Sequence, residues 1–491
     1  VSTTAATTHD ETHYRRRWAI LAVLGLAQLM VVLDATIVNI ALPSAQSDLG
    51  FSDANRQWII TAYALAFGSL LLFGGRLSDL LGRKRVFIGG LIGFAAASAL
   101  GGLAQDFTVL VTARALQGAF GALLAPAALS LLTTTFTEPE ERGKAFGIYG
   151  AIAGGGGALG LLLGGVLTEY LSWRWCLWVN LVLAVPAAIA AVVLLVQSRQ
   201  DKVHLDLPGT ITSVLGLLSL VYGFAKAETD GWTAGITIGL LIAAVVLLAI
   251  FVIIETRVKH PLLPMRVVLD RNRGGSYLGL TLASMALFGV FLFLTYYLQT
   301  TLGYSPIKTG LAFLPMIGAI MVTATTSTAL LLPRIGARIP ITIGLFLGAI
   351  GMVLFTQLGV DTPYVTHVLP GLIVTGLGLG LVFAISFEVG TMGVDANDAG
   401  VASAMVNTTQ QIGGSIGTAL LSTIFATGVA SFLLGAGDPS TPEAQAQAAV
   451  HGYSIAFWWS AVIFLVAAVA CGALLTSEVA DHDPDIPGAP A

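Results

Sequence analysis

Asp34 and Glu388 are the two acidic residues, of 27 in the chain, that fall well inside long apolar stretches. A charge at the centre of a membrane helix costs roughly 2.5 to 3.5 kcal/mol on insertion scales, so an unpaired carboxylate there tends to take up a proton. A carboxyl group that gains its proton when buried and loses it when hydrated can load on one side of a barrier and unload on the other. Asp34 reads equally as a structural partner for a polar neighbour. Glu388 lies nearer a helix end, where it can carry protons, meet a cationic ligand or snorkel to water. Arg114 stands about five residues into a further apolar stretch and, being always charged, must find water, a carboxylate or a carbonyl.

Gly156, Gly160 and Gly164 recur at spacing 4, a small-residue stripe that lets two helices approach closely. Ser403, Asn407, Gln411, Gly414, Thr418 and Ser422 recur every three or four residues and share one helix face, which in a bilayer turns toward a cavity or another helix. Tyr63 and Tyr297 offer aromatic surface to an amphipathic ligand, or sit in the interfacial belt. Signals for covalent chemistry are poor. Neither HExxH nor GxxxxGK[ST] occurs, and the one GxSxG string, around Ser415, lies mid-span rather than at a strand-to-helix turn. The sequon at Asn407 also lies inside an apolar run and is discounted.

The elements that position these residues follow from composition. Of 491 residues, 56% are hydrophobic and 10% charged, with mean hydropathy +0.86, where a soluble domain carries about a quarter charged residues. A net charge of −4 without a long basic run excludes a polybasic nucleic-acid binder. Cys176 and Cys471 both lie in apolar runs and read as packing residues. Fourteen apolar runs, from 18–41 to 453–475, are each long enough to cross a bilayer as a helix. They lack the alternation of a membrane barrel. The first follows Arg15, Arg16 and Arg17 like the start of a signal peptide, but its length predicts a retained helix.

With the N-terminus in the cytoplasm, 18 Lys and Arg residues fall on the inner side and four outside, which predicts cytoplasmic termini. Seventeen arginines against six lysines suit a GC-rich bacterial gene, hence the inner (plasma) membrane. The glycines Gly156, Gly157 and Gly160 repeat at Gly413, Gly414 and Gly417, offset by 257, and Gly82 repeats at Gly336, offset by 254. Duplicated halves predict an N-terminal tail at 1–14, a six-helix bundle at 15–200, two inserted helices and a linker at 201–270, a second bundle at 271–477 and a disordered tail at 478–491. Paired membrane halves with a site at their interface are transporter architecture.

The segment Gly74–Arg85, GGRLSDLLGRKR, combines turn glycines, an acidic acceptor at Asp79 and a basic cluster. It resembles the signature loop of the major facilitator superfamily. Leu33–Pro43, Arg114–Gly118, Gly160–Gly165, Trp173–Asn180, Tyr296–Pro306 and Ala399–Gly414 are similar to motifs of its fourteen-helix drug/proton antiporters of the QacA and EmrB type. Leu161 and Val182 stand where that pattern has proline.

The resemblance implies an all-α membrane protein with two six-helix bundles and two inserted helices. Together with the reading of the residues above, it gives proton coupling at Asp34, Arg114 and Glu388, a substrate cavity with Tyr63, Gln117, Tyr297, Asn407 and Gln411, and conformational motifs at Gly75, Asp79, Gly82, Arg83, Gly156, Gly160 and Gly164 as expectations. The expected function is export of small amphipathic or cationic compounds by a monomer, coupled to protons, without an enzymatic step or cofactor. One proton moving down 100 mV yields about 2.3 kcal/mol, enough for roughly a 50-fold substrate gradient. A symporter or facilitator for a metabolite is the alternative that Leu161 keeps open, and a membrane sensor or scaffold is the alternative outside transport.

Overall fold

The computed structural model describes residues 3–51, 53–197, 206–395, 398–435 and 438–477. Eight helices form the first part: α1 (Thr3–Leu49), α2 (Asp53–Leu81), α3 (Arg83–Gly102), α4 (Phe107–Thr135), α5 (Pro139–Tyr170), α6 (Trp175–Leu194), α7 (Leu207–Asp230) and α8 (Gly235–Glu255). Six follow: α9 (Arg271–Thr301), α10 (Ile307–Ile335), α11 (Arg338–Phe355), α12 (Tyr364–Thr391), α13 (Ala399–Leu434) and α14 (Pro442–Leu474). Among the described residues thirteen are long and apolar enough to span a membrane, and α5 makes a fourteenth through a bend of 47° between Gly157 and Leu159. That bend sits at a run of four glycines, whose missing side chains leave the helix free to kink, just before Leu161, which stands where the antiporter pattern has proline.

Start signals are local. Asp106, Asp206, Asp270 and Thr441 cap α4, α7, α9 and α14 by accepting backbone N–H bonds of 2.9–3.2 Å. Gly82 (φ 96°) and Gly336 (φ 68°) occupy left-handed backbone at the α2–α3 and α10–α11 turns, so the 254-residue echo marks two equivalent turns that residues with a Cβ adopt at a cost. Basic residues at this end of the bundle cap helix C-termini: Lys84 donates to the carbonyls of Val192 and Leu195, and Arg271 to those of Ala473 and Leu474.

Packing repeats across the chain. In the first bundle α1 packs on α5, α2 on α4 and α3 on α6. In the second, α9 packs on α13, α10 on α12 and α11 on α14. The two bundles meet along two seams related by the same pseudo-two-fold, α5 against α10 and α2 against α13, while α7 and α8 form a hairpin whose α7 lies against α2 and α13. The expectation of fourteen spans holds, but several helices outrun their apolar segments. α1 already begins at Thr3, so the 1–14 tail is from there a helical extension, and the 36 residues of α13 reach about 54 Å. Hydropathy locates the lipid-facing stretch; only a breaker ends a helix. The expected disordered tail at 478–491 lies outside the described residues.

The α5 glycine stripe faces α1. A Cβ on Gly156 would lie 2.9 Å from Val32 Cγ1, one on Gly160 would collide with Thr36 Oγ1 and lie 3.1 Å from the Leu33 carbonyl oxygen, and one on Gly164 would lie 2.9 Å from that of Ile37. Gly413 and Gly417 give α13 the same closeness to α9, at the carbonyls of Thr281 and Met285. Gly160→Leu is therefore expected to lower stability by at least the ~1–3 kcal/mol typical of overpacking, because backbone cannot yield as a side chain can. Gly414→Ala, at a position where a Cβ meets nothing within 4 Å, serves as the tolerant control. Equal melting temperatures for the two purified variants would show that the stripe is not a contact.

Candidate functional site

Five helices of the first bundle converge on Asp34, which is completely buried in α1. Arg114 and Gln117, three residues apart on one face of α4, both reach it. Arg114 Nη1 donates to Asp34 Oδ2 at 2.5 Å and Gln117 Nε2 to Oδ1 at 2.9 Å. Asn180 Nδ2 of α6 donates to the same Oδ1 at 2.8 Å. The ring of partners closes through Arg114 Nη1 to Gln117 Oε1 (2.9 Å), Gln117 Nε2 to Ser98 Oγ of α3 (2.7 Å) and Arg114 Nε to the Ile59 carbonyl of α2 (3.3 Å). The Arg114 guanidinium lies 4.4 Å from the centre of the Tyr63 ring, whose hydroxyl has no hydrogen-bond partner among the described residues. One negative and one positive charge thus form a neutral, desolvated unit in which every carboxylate bond comes from another helix.

The sequence singles out Asp34, Arg114 and Gln117 but misses Asn180 and Ser98. Asn180 was legible as the only amide in α6. Beyond the cluster, away from the basic loops, Val38, Leu42, Ile59, Leu110, Trp173 and Leu177 line a small apolar crevice between α1, α2, α4 and α6.

Glu388 does not snorkel to water. It is 4% exposed in α12, and its Oε1 faces Arg142 Nε of α5 at 3.6 Å across the seam between the bundles. That separation is an ion pair without a hydrogen bond. Glu388 Oε2 and Arg142 Nε and Nη2 have no hydrogen-bond partner among the described residues. Arg142 reads in sequence as a loop residue; its position at the start of α5, one turn before Phe146, draws it into the bundle, its guanidinium 4.9 Å from that ring. One turn deeper, Tyr149 donates to Gln28 Oε1 at 2.8 Å and meets the Phe387 ring edge-on.

The motif loop locks the other seam. A Cβ on Gly75 of α2 would lie 2.5 Å from the Gly400 carbonyl oxygen of α13, so only glycine permits this approach. Asp79 Oδ1 accepts the Gly400 N–H at 3.1 Å and lies 3.6 Å from Arg83 Nη2, a carboxylate at the first turn of α13 where the helix dipole favours it. On the pseudo-equivalent seam Thr328 Oγ1 of α10 donates to the Gly143 carbonyl of α5.

The expected cavity residues do not assemble. Tyr297 is fully buried inside the second bundle, its hydroxyl bonded to the Gly359 carbonyl (2.8 Å) and Thr362 Oγ1 (2.5 Å) and its ring against Tyr453. It is a packing residue, and its belt-like sequence position hid which way it faces. Tyr63 and Gln117 belong to the Asp34 cluster. Asn407 is buried and bonds back to the Ser403 carbonyl at 2.8 Å. Gln411 is part-buried and packs over Gly68 of α2. The α13 polar face splits: its start is sealed in the seam, Gly414 borders open space, and Ser422 reaches Glu228 of α7 at 3.4 Å. Ser415 Oγ bonds to the Gln411 carbonyl inside the helix (2.8 Å), unlike a nucleophile elbow.

Removing one partner of a buried pair leaves the other charge uncompensated, which costs about 3–5 kcal/mol. Asp34→Asn is therefore expected to unfold at a markedly lower temperature than the parent in detergent, and Asp34→Asn/Arg114→Gln to regain most of the loss. A single variant as stable as the parent would mean that water reaches Arg114.

The Major Facilitator Superfamily model matches residues 24–418. The chain is 50% identical to the puromycin resistance protein of Streptomyces alboniger over 95% of this chain and 93% of that one. It is 39% identical to the cephamycin export protein of Amycolatopsis lactamdurans, over 90% and 89%, and 36% identical to the lincomycin resistance protein of Streptomyces lincolnensis, over 87% and 88%. The crystal structure of the human organic anion transporter MFSD10 superposes with TM-score 0.62 at 15% identity, covering 93% of this chain and 99% of that one, a likeness of fold. With paired six-helix bundles, the signature loop clamped on the opposite bundle and a family match over most of its length, the chain belongs to the major facilitator superfamily.

Proposed function

We propose that the protein exports small amphipathic or cationic antibiotics across the plasma membrane in exchange for protons, by alternating access between the bundles at 15–200 and 271–477. The observation that carries this reading is the buried Asp34–Arg114 pair, supported by relatives named for resistance to, or export of, puromycin, cephamycin and lincomycin. Protonation of Asp34 removes its charge, releases Arg114 toward water or carbonyls, and frees α1 and α4 to shift. Deprotonation restores the pair. No covalent step or cofactor is required, and a monomer suffices because each bundle supplies half of both seams.

The excess of Lys and Arg at the end carrying the signature loop supports a cytoplasmic position for that end and for both termini. With that sidedness, Asp79–Gly400, Gly143–Thr328 and Arg142–Glu388 close the cytoplasmic side, which supports reading this conformation as an outward-directed one. The place of Asp34, one turn from the apolar crevice at the end away from the basic loops, supports proton uptake from outside in this reading. The kink at the α5 glycines supplies the bend that proline gives in the antiporter pattern, which favours export despite Leu161.

In proteoliposomes an imposed pH gradient should drive uphill puromycin movement, and adding puromycin should collapse the gradient. Asp34→Asn/Arg114→Gln should retain puromycin binding and lose both effects. Uphill transport by that variant would end the assignment of Asp34 as the coupling group.

Glu388 is tested by ligand charge. If it recognises cations, Glu388→Gln should reduce export of puromycin and quaternary dyes at least several-fold while sparing neutral substrates, since a buried carboxylate pairs with positive charge and an amide does not. Equal loss for both classes would assign it to proton transfer, and no change would leave it a seam residue only.

A further inference from the structure

At the basic end of the inserted hairpin, two carboxyl groups face one another. Asp206, the N-cap of α7, and Glu255, the last residue of α8, are 9% and 4% exposed. Each spends one oxygen on backbone: Asp206 Oδ1 accepts from Gly209 N (3.1 Å), Glu255 Oε2 from Leu263 N (2.8 Å). Their remaining oxygens, Oδ2 and Oε1, converge on one point, where both would collide with a Cβ on Gly209. Neither has a donor among the described residues. Ionised carboxylates only accept hydrogen bonds, so two such oxygens converging away from water repel unless a proton lies between them.

The surrounding charges agree. Arg76 of α2 is 4% exposed, has an unpartnered Nε, and acts on both Glu255 and Asp79. Arg83 pairs with Asp79, and Asp398 of α13 pairs with Arg266. Arg83 and Arg266 are thus each engaged by another carboxylate, which leaves Arg76 as the cation acting on Glu255.

We infer that Asp206 and Glu255 form a second proton-holding site, one hydron shared between Oδ2 and Oε1, which fastens the inserted hairpin to the seam between the bundles. The fastening follows from Glu255, whose other oxygen holds Leu263. Leu262 and Leu263 are buried in one apolar cluster with Leu72 of α2 and Val401 and Ala404 of α13, beside the Gly75–Gly400 contact. Losing the proton sets two negative charges against each other and loosens the strap over that seam. The stabilisation is thus present at acidic pH and disappears as rising pH removes the hydron.

The test uses the full chain in lipid nanodiscs, followed by infrared absorption of protonated carboxyl groups and by melting temperature as pH is raised. The parent should lose a protonated-carboxyl band and melt at lower temperature over the same pH interval. Glu255→Gln and Asp206→Asn each replace the shared proton by an amide N–H, and each should abolish both changes; Asp34→Asn/Arg114→Gln should keep them. Because no transport is measured, the outcome is independent of antibiotic export. Survival of the band change in both amide variants overturns the inference, as does restoration of the parent's alkaline melting temperature by added Na⁺, which would make the bridging ion a metal cation. Should one amide variant fail to fold, the other decides.

Discussion

Asp34 keeps its place inside the first bundle because Arg114, Gln117 and Asn180 reach it from α4 and α6, and that reach limits how far apart these helices can stand. A bilayer supplies no water to finish an incomplete set of hydrogen bonds, so a displaced α1 would leave a guanidinium and a carboxylate unsolvated. The α5 glycines make the required closeness possible, since α1 rests on them at Val32, Leu33, Thr36 and Ile37, the residues around Asp34. Close packing and charge pairing are one constraint here: the stripe sets the depth of α1, and the depth of α1 puts the carboxylate within reach of its donors.

The second bundle repeats the packing without the charge. Gly413 and Gly417 seat α9 on α13 as Gly160 and Gly164 seat α1 on α5, yet no acidic residue stands on α9 where Asp34 stands on α1. The duplicated fold has been given different chemistry in its two halves. The pseudo-equivalent seams also differ in means. Backbone N–H to carboxylate joins α2 to α13 at Asp79 and Gly400, whereas a hydroxyl to carbonyl bond joins α10 to α5 at Thr328 and Gly143.

Most polar contacts across the seams lie at the basic end, and Arg142–Glu388 is the loosest of them. An ion pair 3.6 Å apart with three unpartnered polar atoms gains less than one with complete hydrogen bonding, because part of its desolvation is never offset. Such a contact separates at lower cost than the Asp34 cluster, in keeping with the proposed opening of this seam while the bundle interior stays intact.

Length and hydropathy determined fourteen spans and their order, because each is a property of a short stretch of chain. The glycine echoes revealed the duplication, and Asp34, Arg114 and Asp79 declared themselves as charges or motif members that a bilayer tolerates only for a reason. Which face each helix turns inward was decided by tertiary structure. A membrane helix that is apolar all round carries little hydrophobic asymmetry, so nothing local distinguishes Tyr297 packed in a core from Tyr297 lining a cavity, or Glu388 at water from Glu388 against Arg142. Asn180 and Asp34 are 146 residues apart and meet at 2.8 Å, and Glu255 and Asp206, on different helices, converge on Gly209 at the hairpin's base. Those distances depend on the rotation and depth of whole helices, which only the packing of all their neighbours fixes.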